Sequence, residues 1–231
     1  MPRALLLSIR FHDGRYHGAP EWPPSPARLF QALIAGAAQG EKLSPQYRAA
    51  LAWLEQLAPP VIAAPAKRSG SGYKNYVPNN DLDAVGGDPR RIAEIRAPKL
   101  IRPLLFDAEA PLIYAWSFDA GEEHARTILV IAERLYQLGR GVDMAWAFGE
   151  VIEEAARDAR LRAHGGLLYR PSKGGEGKPL LCPQPGSLDS IERRFAKTGK
   201  RFSAIKTGRQ VQQLFSRAPK PRFASVAYDS P

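Results

Sequence analysis

Metal-independent RNA cleavage needs a base for the 2′-hydroxyl, an acid for the leaving 5′-oxygen and a cation for the charge that develops on phosphorus. His12, Tyr16 and His17 are of the types that supply base and acid, with Lys67 or Lys74 as the cation. Two histidines beside a turn are more often plain surface or sheet-edge residues, and no Ser/His/Asp order or carboxylate cluster competes with them. A metal-independent endoribonuclease is therefore the alternative reading.

A larger set of residues suits binding. Lys67-Arg68 followed by Tyr73-Lys74-Asn75-Tyr76 interleaves phosphate-neutralising cations with flat rings, and such rings stack on unpaired bases at about 1 to 3 kcal/mol each. Arg90-Arg91, Arg96, Lys99 and Arg102 extend the positive track. Arg140 stands between Gly139 and Gly141, where glycines let backbone approach a ligand closely. In the run from Tyr169 to Gly177-Lys178-Pro179, a phosphate-loop reading fails. Pro179 stands where Ser or Thr is required and Ser172 where the first glycine belongs. Arg170, Lys173 and Lys178 remain as a basic loop for an RNA backbone. Arg28 falls in the first turn of an expected helix, whose amide end also attracts phosphate. Arg10 and Tyr16 complete the candidate RNA contacts.

Charge supports this emphasis. The 231 residues carry 33 Lys+Arg against 23 Asp+Glu, a net +10. The excess is uneven, −5 over residues 107–165 and +9 over 166–231, so it marks a surface for polyanions. A hydrophobic fraction of 44% excludes intrinsic disorder. No apolar run approaches the roughly 18 to 20 residues of a membrane span, and Met1-Pro2-Arg3 opens no signal peptide, so a cytoplasmic chain without membrane contact is expected. A lone Cys182 rules out an internal disulfide, and histidines at 12, 17, 124 and 164 offer no zinc spacing. No metal or cofactor is expected.

Alternation of Leu5, Leu7, Ile9 and Phe11 predicts a strand, Asp13-Gly14 a tight turn, and Arg15-Tyr16-His17 a short returning strand. Pro20-Glu21-Trp22-Pro23-Pro24 interrupts pairing, and Ser25-Pro26 starts a helix expected to reach Gly40. Ser44-Pro45 starts a second helix that Pro59-Pro60 ends. A weak strand near Val61-Ile62 follows, then a long loop insertion over about 67–98, including Pro78-Asn79-Asn80 and Gly86-Gly87. Strands are predicted over 100–106 and 112–118, a helix over 122–138, and a strand over 142–151 in which Met144, Trp146 and Phe148 alternate. A last helix is expected from Ser187 to about Thr198.

This order is α+β, a ferredoxin-like or RRM-like βαββαβ domain with helices on one sheet face and the other face free for RNA. A long loop insertion and an irregular basic C-terminal extension complete it. Residues 1–160 are expected to form the domain, and 161–231 a Gly/Pro-rich extension that completes it or leads onward.

Gly14-Arg15-Tyr16-His17 and the run from Pro20-Glu21-Trp22-Pro23-Pro24 through Ser25-Pro26-Ala27-Arg28-Leu29-Phe30-Gln31-Ala32-Leu33 resemble the start of a known family. It is the CRISPR-associated five–six fusion subunit of type I-G systems, formerly I-U. Leu138-Gly139-Arg140-Gly141-Val142-Asp143 is similar to the helix-to-strand junction of its five-type half, and Pro185-Gly186-Ser187-Leu188 to a later segment. The resemblance implies a subunit that grips the 5′ handle of CRISPR RNA and caps one end of a surveillance (Cascade) complex in antiviral defence. Its implied neighbours are the filament-forming seven-type subunit and the large eight-type subunit, with target DNA met only indirectly. The six-type endoribonuclease half of such fusions is expected to be absent from these residues. A third reading is a general RNA-binding protein outside any such complex.

Overall fold

The computed structural model describes residues 2–18, 20–38, 42–78, 88–200, 202–207 and 210–229. In chain order the elements are β1 (Arg3–Phe11), β2 (Arg15–Tyr16), α1 (Pro26–Ala37), α2 (Pro45–Leu54), β3 (Val61–Ala64), β4 (Lys67–Ser69), β5 (Tyr73–Pro78), β6 (Arg96–Ile101), β7 (Leu104–Phe106) and β8 (Leu112–Phe118). There follow α3 (Glu122–Ala132), β9 (Ala145–Glu153), α4 (Glu154–Ala163), β10 (Leu167–Pro171), β11 (Lys178–Cys182), α5 (Ser187–Thr198), β12 (Phe202–Thr207), β13 (Gln210–Phe215) and β14 (Ala224–Asp229). A 3₁₀ helix, Pro89–Ile95, precedes β6.

Two compact units divide the chain. Residues 1–70, 103–186 and 223–231 form the first, and 71–102 with 187–222 the second. The first is built on a seven-stranded sheet ordered β11-β14-β10-β3-β8-β1-β9. Within it β3-β8-β1-β9 are antiparallel neighbours, the strand order of the ferredoxin-like βαββαβ fold, here with two helices in the first crossover. The second unit holds the hairpins β5-β6 and β12-β13 together with α5. Among the described residues, no helix is long and apolar enough to cross a membrane.

Central position explains β1. It pairs with β8 on one side and β9 on the other, and Leu5, Leu6, Leu7 and Ile9 are all buried. Alternation of Leu5, Leu7, Ile9 and Phe11 predicts one buried face; both are covered, and only the stretch Ala4-Leu5-Leu6-Leu7 is continuously apolar as such a strand requires. The helix starts follow the expected proline logic. Pro26 opens α1, and the Ser44 hydroxyl accepts from the Tyr47 amide at 3.2 Å at the start of α2.

Several expectations are corrected. Helices do not keep to one sheet face. α4 places Leu161 against Ala4, Leu6, Ala63, Ile113 and Ala115 on the face opposite α3. Its sequence, EAARDARLRA, buries only Leu161 and so shows no amphipathic stripe to be read. Arg15–Tyr16 returns from the Gly14 turn but pairs with β7, not β1. The strand expected over 100–106 breaks at Pro103, which has no amide to donate. The loop expected from residue 67 contains β4 and the β5-β6 hairpin instead. The extension expected to be irregular supplies β10, β11 and β14 to the main sheet. α1 ends at Ala37, α2 at Leu54 and α3 at Ala132, each short of its predicted stop. Gly40, Asn79-Asn80 and Gly86-Gly87 lie outside the described residues.

The predicted strand of Met144, Trp146 and Phe148 is present, and the residues it buries are the small ones. Ala145 and Ala147 are buried, while Met144, Trp146 and Phe148 are exposed. β9 passes so close beneath α3 that a Cβ on Gly149 would stand 2.6 Å from Leu129 Cδ2 and 2.8 Å from Leu7 Cδ2. Only small residues fit there, so the large ones point away.

Candidate nucleic-acid interface

The Pro20–Pro24 segment organises the first unit's cations. Trp22 is fully buried, its ring 4.8 Å from Phe106 and 5.9 Å from Tyr16 between centroids. Its carbonyl accepts from Lys178 Nζ at 2.5 Å. Beside it, Glu21 accepts from the Ser25 amide at 2.5 Å and from Arg28 Nε and Nη2 at 3.2 and 2.9 Å. Burial pushes the Glu21 carboxyl up, but the hydrogen bonds from Arg28 and Ser25 and the charge of Arg28 outweigh it and hold it below its ordinary value. Burial lowers the Lys178 ammonium, and repulsion from Lys67 lowers it further.

Arg140 joins this group through Asp143. Fully buried, Asp143 accepts from the His17 amide at 2.9 Å and the Arg140 amide at 2.7 Å, and its Oδ1 lies 2.6 Å from His17 Nδ1. Gly139, at φ +130°, lies against it, and a side chain there would strike the Asp143 carboxylate and the Tyr16 ring. The Gly139-Arg140-Gly141 turn is therefore tied down from below, with Arg140 left exposed. A pocket of about 230 Å³ opens beside it, lined by Arg28, Gln31, Tyr136, Gln137 and Gly139.

Arg28 and Lys178 thus bind the proline-rich segment directly, while Lys67 lies near enough to Lys178 to repel it and Arg140 near enough to Tyr16 to act on its phenol. Lys67 and Arg68 lie exposed on β4, Arg170 is half-buried on β10, and Lys173 is exposed in the turn before β11. Tyr73, Lys74 and Tyr76 are exposed on β5, in the second unit. Arg10 is elsewhere, on β1, donating to Glu109 Oε2 at 3.1 Å. Tyr16 is a correction: it is fully buried, so it offers no face to a base. Burial, with the Glu21 charge, drives its phenol well above the ordinary value, and its hydroxyl has no partner among the described residues. With His17 buried on Asp143 and His12 exposed, His12, Tyr16 and His17 do not present a common reactive face.

Sequence reading missed Glu21, Trp22 and Asp143 as organisers, and Trp146 and Phe148 as exposed rings. The strict alternation of aromatic with Ala or Gly over 145–149 was the available signal for the last two. The Glu21–Arg28 pair carries a pH prediction. The folded carboxyl titrates below the unfolded value of 4.5, so its stabilisation is complete above about pH 5 and disappears as pH falls through the folded value. Thermal midpoints of wild type and Glu21→Gln should differ at neutral pH and converge in acid; a constant gap overturns the pair's role.

The ferredoxin-like sheet with its helices defines the class as an α+β protein, and Arg28 on α1, Lys67 on β4, Arg140 in the turn before β9 and Lys178 on β11 are its grouped cations. Residues 4–210 match the family described as CRISPR-associated protein, GSU0054 family, and the chain belongs to it. Its place in CRISPR defence follows. The solved crystal structure of a CRISPR protein from Archaeoglobus fulgidus is similar at 11% identity, over 79% of this chain and 80% of that one, with a TM-score of 0.40. No curated protein matches the chain.

Proposed function

We propose that the chain is the five-type portion of a type I-G five–six fusion subunit, binding the 5′ handle of CRISPR RNA in a surveillance complex. In this reading it caps the filament of seven-type subunits and contacts the large eight-type subunit. The observation that carries it is the gathering of Arg28, Arg140, Lys67 and Lys178 about Pro20–Pro24, the segment most like that family. The Glu21 and Asp143 carboxylates offset part of this charge, and the four cations still outnumber them.

Arg140→Ala combined with Lys67→Ala and Arg68→Ala tests the reading. Titration with repeat-derived handle RNA at several salt concentrations should show at least a ~10-fold weaker affinity. The log–log salt slope should flatten by about 0.7 for each phosphate that the variant no longer neutralises. Unchanged affinity and slope would sink the assignment.

A further inference from the structure

β9 is an edge strand, and its outer face carries two exposed rings. Trp146 and Phe148 lie with centroids 5.5 Å apart and planes inclined by 31°. The Arg10 guanidinium sits 5.9 Å from the Trp146 ring centre and is held there by Glu109. On the same sheet face, a groove of about 400 Å³ lies beside Phe148, with Arg160 and Ala163 of α4 also in its lining. Phe148 and Ile113 give it apolar surface, and Ser8, Asp107, Glu109 and Arg160 give it polar groups.

We propose that Trp146 and Phe148 form a stacking platform for unpaired nucleobases, a second RNA contact separate from the cation cluster. Rings fixed on a strand need no ordering on binding, and every base has a π-face to lay on them. Ser8, Asp107, Glu109 and Arg160 line the same groove as Phe148 and offer donors and acceptors of the kind a base's amino and carbonyl edge pairs with. Its volume suits a nucleotide-sized ligand. A protein interface would need roughly 800 Å² of complementary surface per partner. Here the two rings are rimmed by ion-paired groups, Arg10 with Glu109 and Arg160 with Glu150. Those pairs also leave little free positive charge for phosphates, so this site touches bases and the cluster around Pro20–Pro24 holds the backbone. The proposal rests on the chain binding RNA, as proposed above.

The full 231-residue chain with Trp146→Ala and Phe148→Ala should bind a single-stranded RNA of about a dozen nucleotides roughly 5- to 100-fold more weakly. Its salt slope should stay that of wild type, and its affinity for heparin, a polyanion without bases, should not change. Trp146→Phe with Phe148→Tyr should restore RNA affinity, which loss of folding would not allow. Wild-type RNA affinity in the alanine variant overturns the platform while leaving the cation cluster to its own salt test. Equal loss of heparin and RNA overturns it as well. Retained RNA affinity with loss of a protein partner from the purified complex reassigns the rings to protein docking.

Discussion

Trp22→Ala is expected to lower the thermal midpoint by roughly 6 to 20 °C, the equivalent of a ~3 to 5 kcal/mol loss for truncating a buried aromatic in a domain of this size. Trp22 has no exposed surface and fills the space between Tyr16 and Phe106. The effect should reach RNA binding although the ring touches no ligand. Lys178 is held by the Trp22 carbonyl and Arg28 by the adjacent Glu21, so loosening the segment scatters two cations. Trp22→Phe should cost less than the alanine change. It keeps most of the apolar volume and removes an indole N–H that is buried without a partner among the described residues. Thermal unfolding with RNA titration of both variants checks the ordering. An alanine variant as stable as wild type would show that the motif is held by something other than this packing.

The same residue shows where sequence reading succeeded and where it stopped. Glu21-Trp22-Pro23-Pro24 was legible as a break in pairing and as the most distinctive run, because prolines act locally. That Trp22 is core, and Tyr16 with it, depends on β7 bringing Phe106 across, a contact far away in sequence. Local signals were likewise sufficient for β8, whose bounds fall where alternation puts them, and α5 spans the expected Ser187–Thr198. They failed for α4, whose single buried leucine carries no period. For β9 they revealed the alternation but not which face is buried. Which face of an alternating strand is buried is set by what packs on it. α3 above Gly149 leaves no room for a ring there, and that is tertiary information. The cations could be listed from sequence, but not sorted. Arg28 and Arg10 each spend charge on a carboxylate, whereas Arg140 gives its backbone amide to Asp143 and leaves its side chain exposed.

Asp143→Ala should have the larger functional consequence, because it removes the support beneath Arg140. The carboxylate serves the His17 amide, the His17 ring and the Arg140 amide at once. Its own backbone closes the turn, donating to the Arg140 carbonyl at 2.8 Å and accepting from the Leu138 amide at 3.0 Å. Removing the side chain strands donors in a site closed to water, and breaking such a buried network costs about 3 to 5 kcal/mol. Asp143→Asn is the sharper probe. With its oxygen in the Oδ1 place it still accepts from the His17 amide, but its NH₂ group then meets the Arg140 N–H where Oδ2 accepted. It should therefore be destabilised too, by less than alanine, and it should weaken RNA binding with a flatter salt slope, the change expected from losing the Arg140 contact. If Asp143→Asn unfolds at the wild-type midpoint and keeps the wild-type slope, the turn holds Arg140 without the carboxylate. The link from the buried aspartate to the exposed arginine then fails.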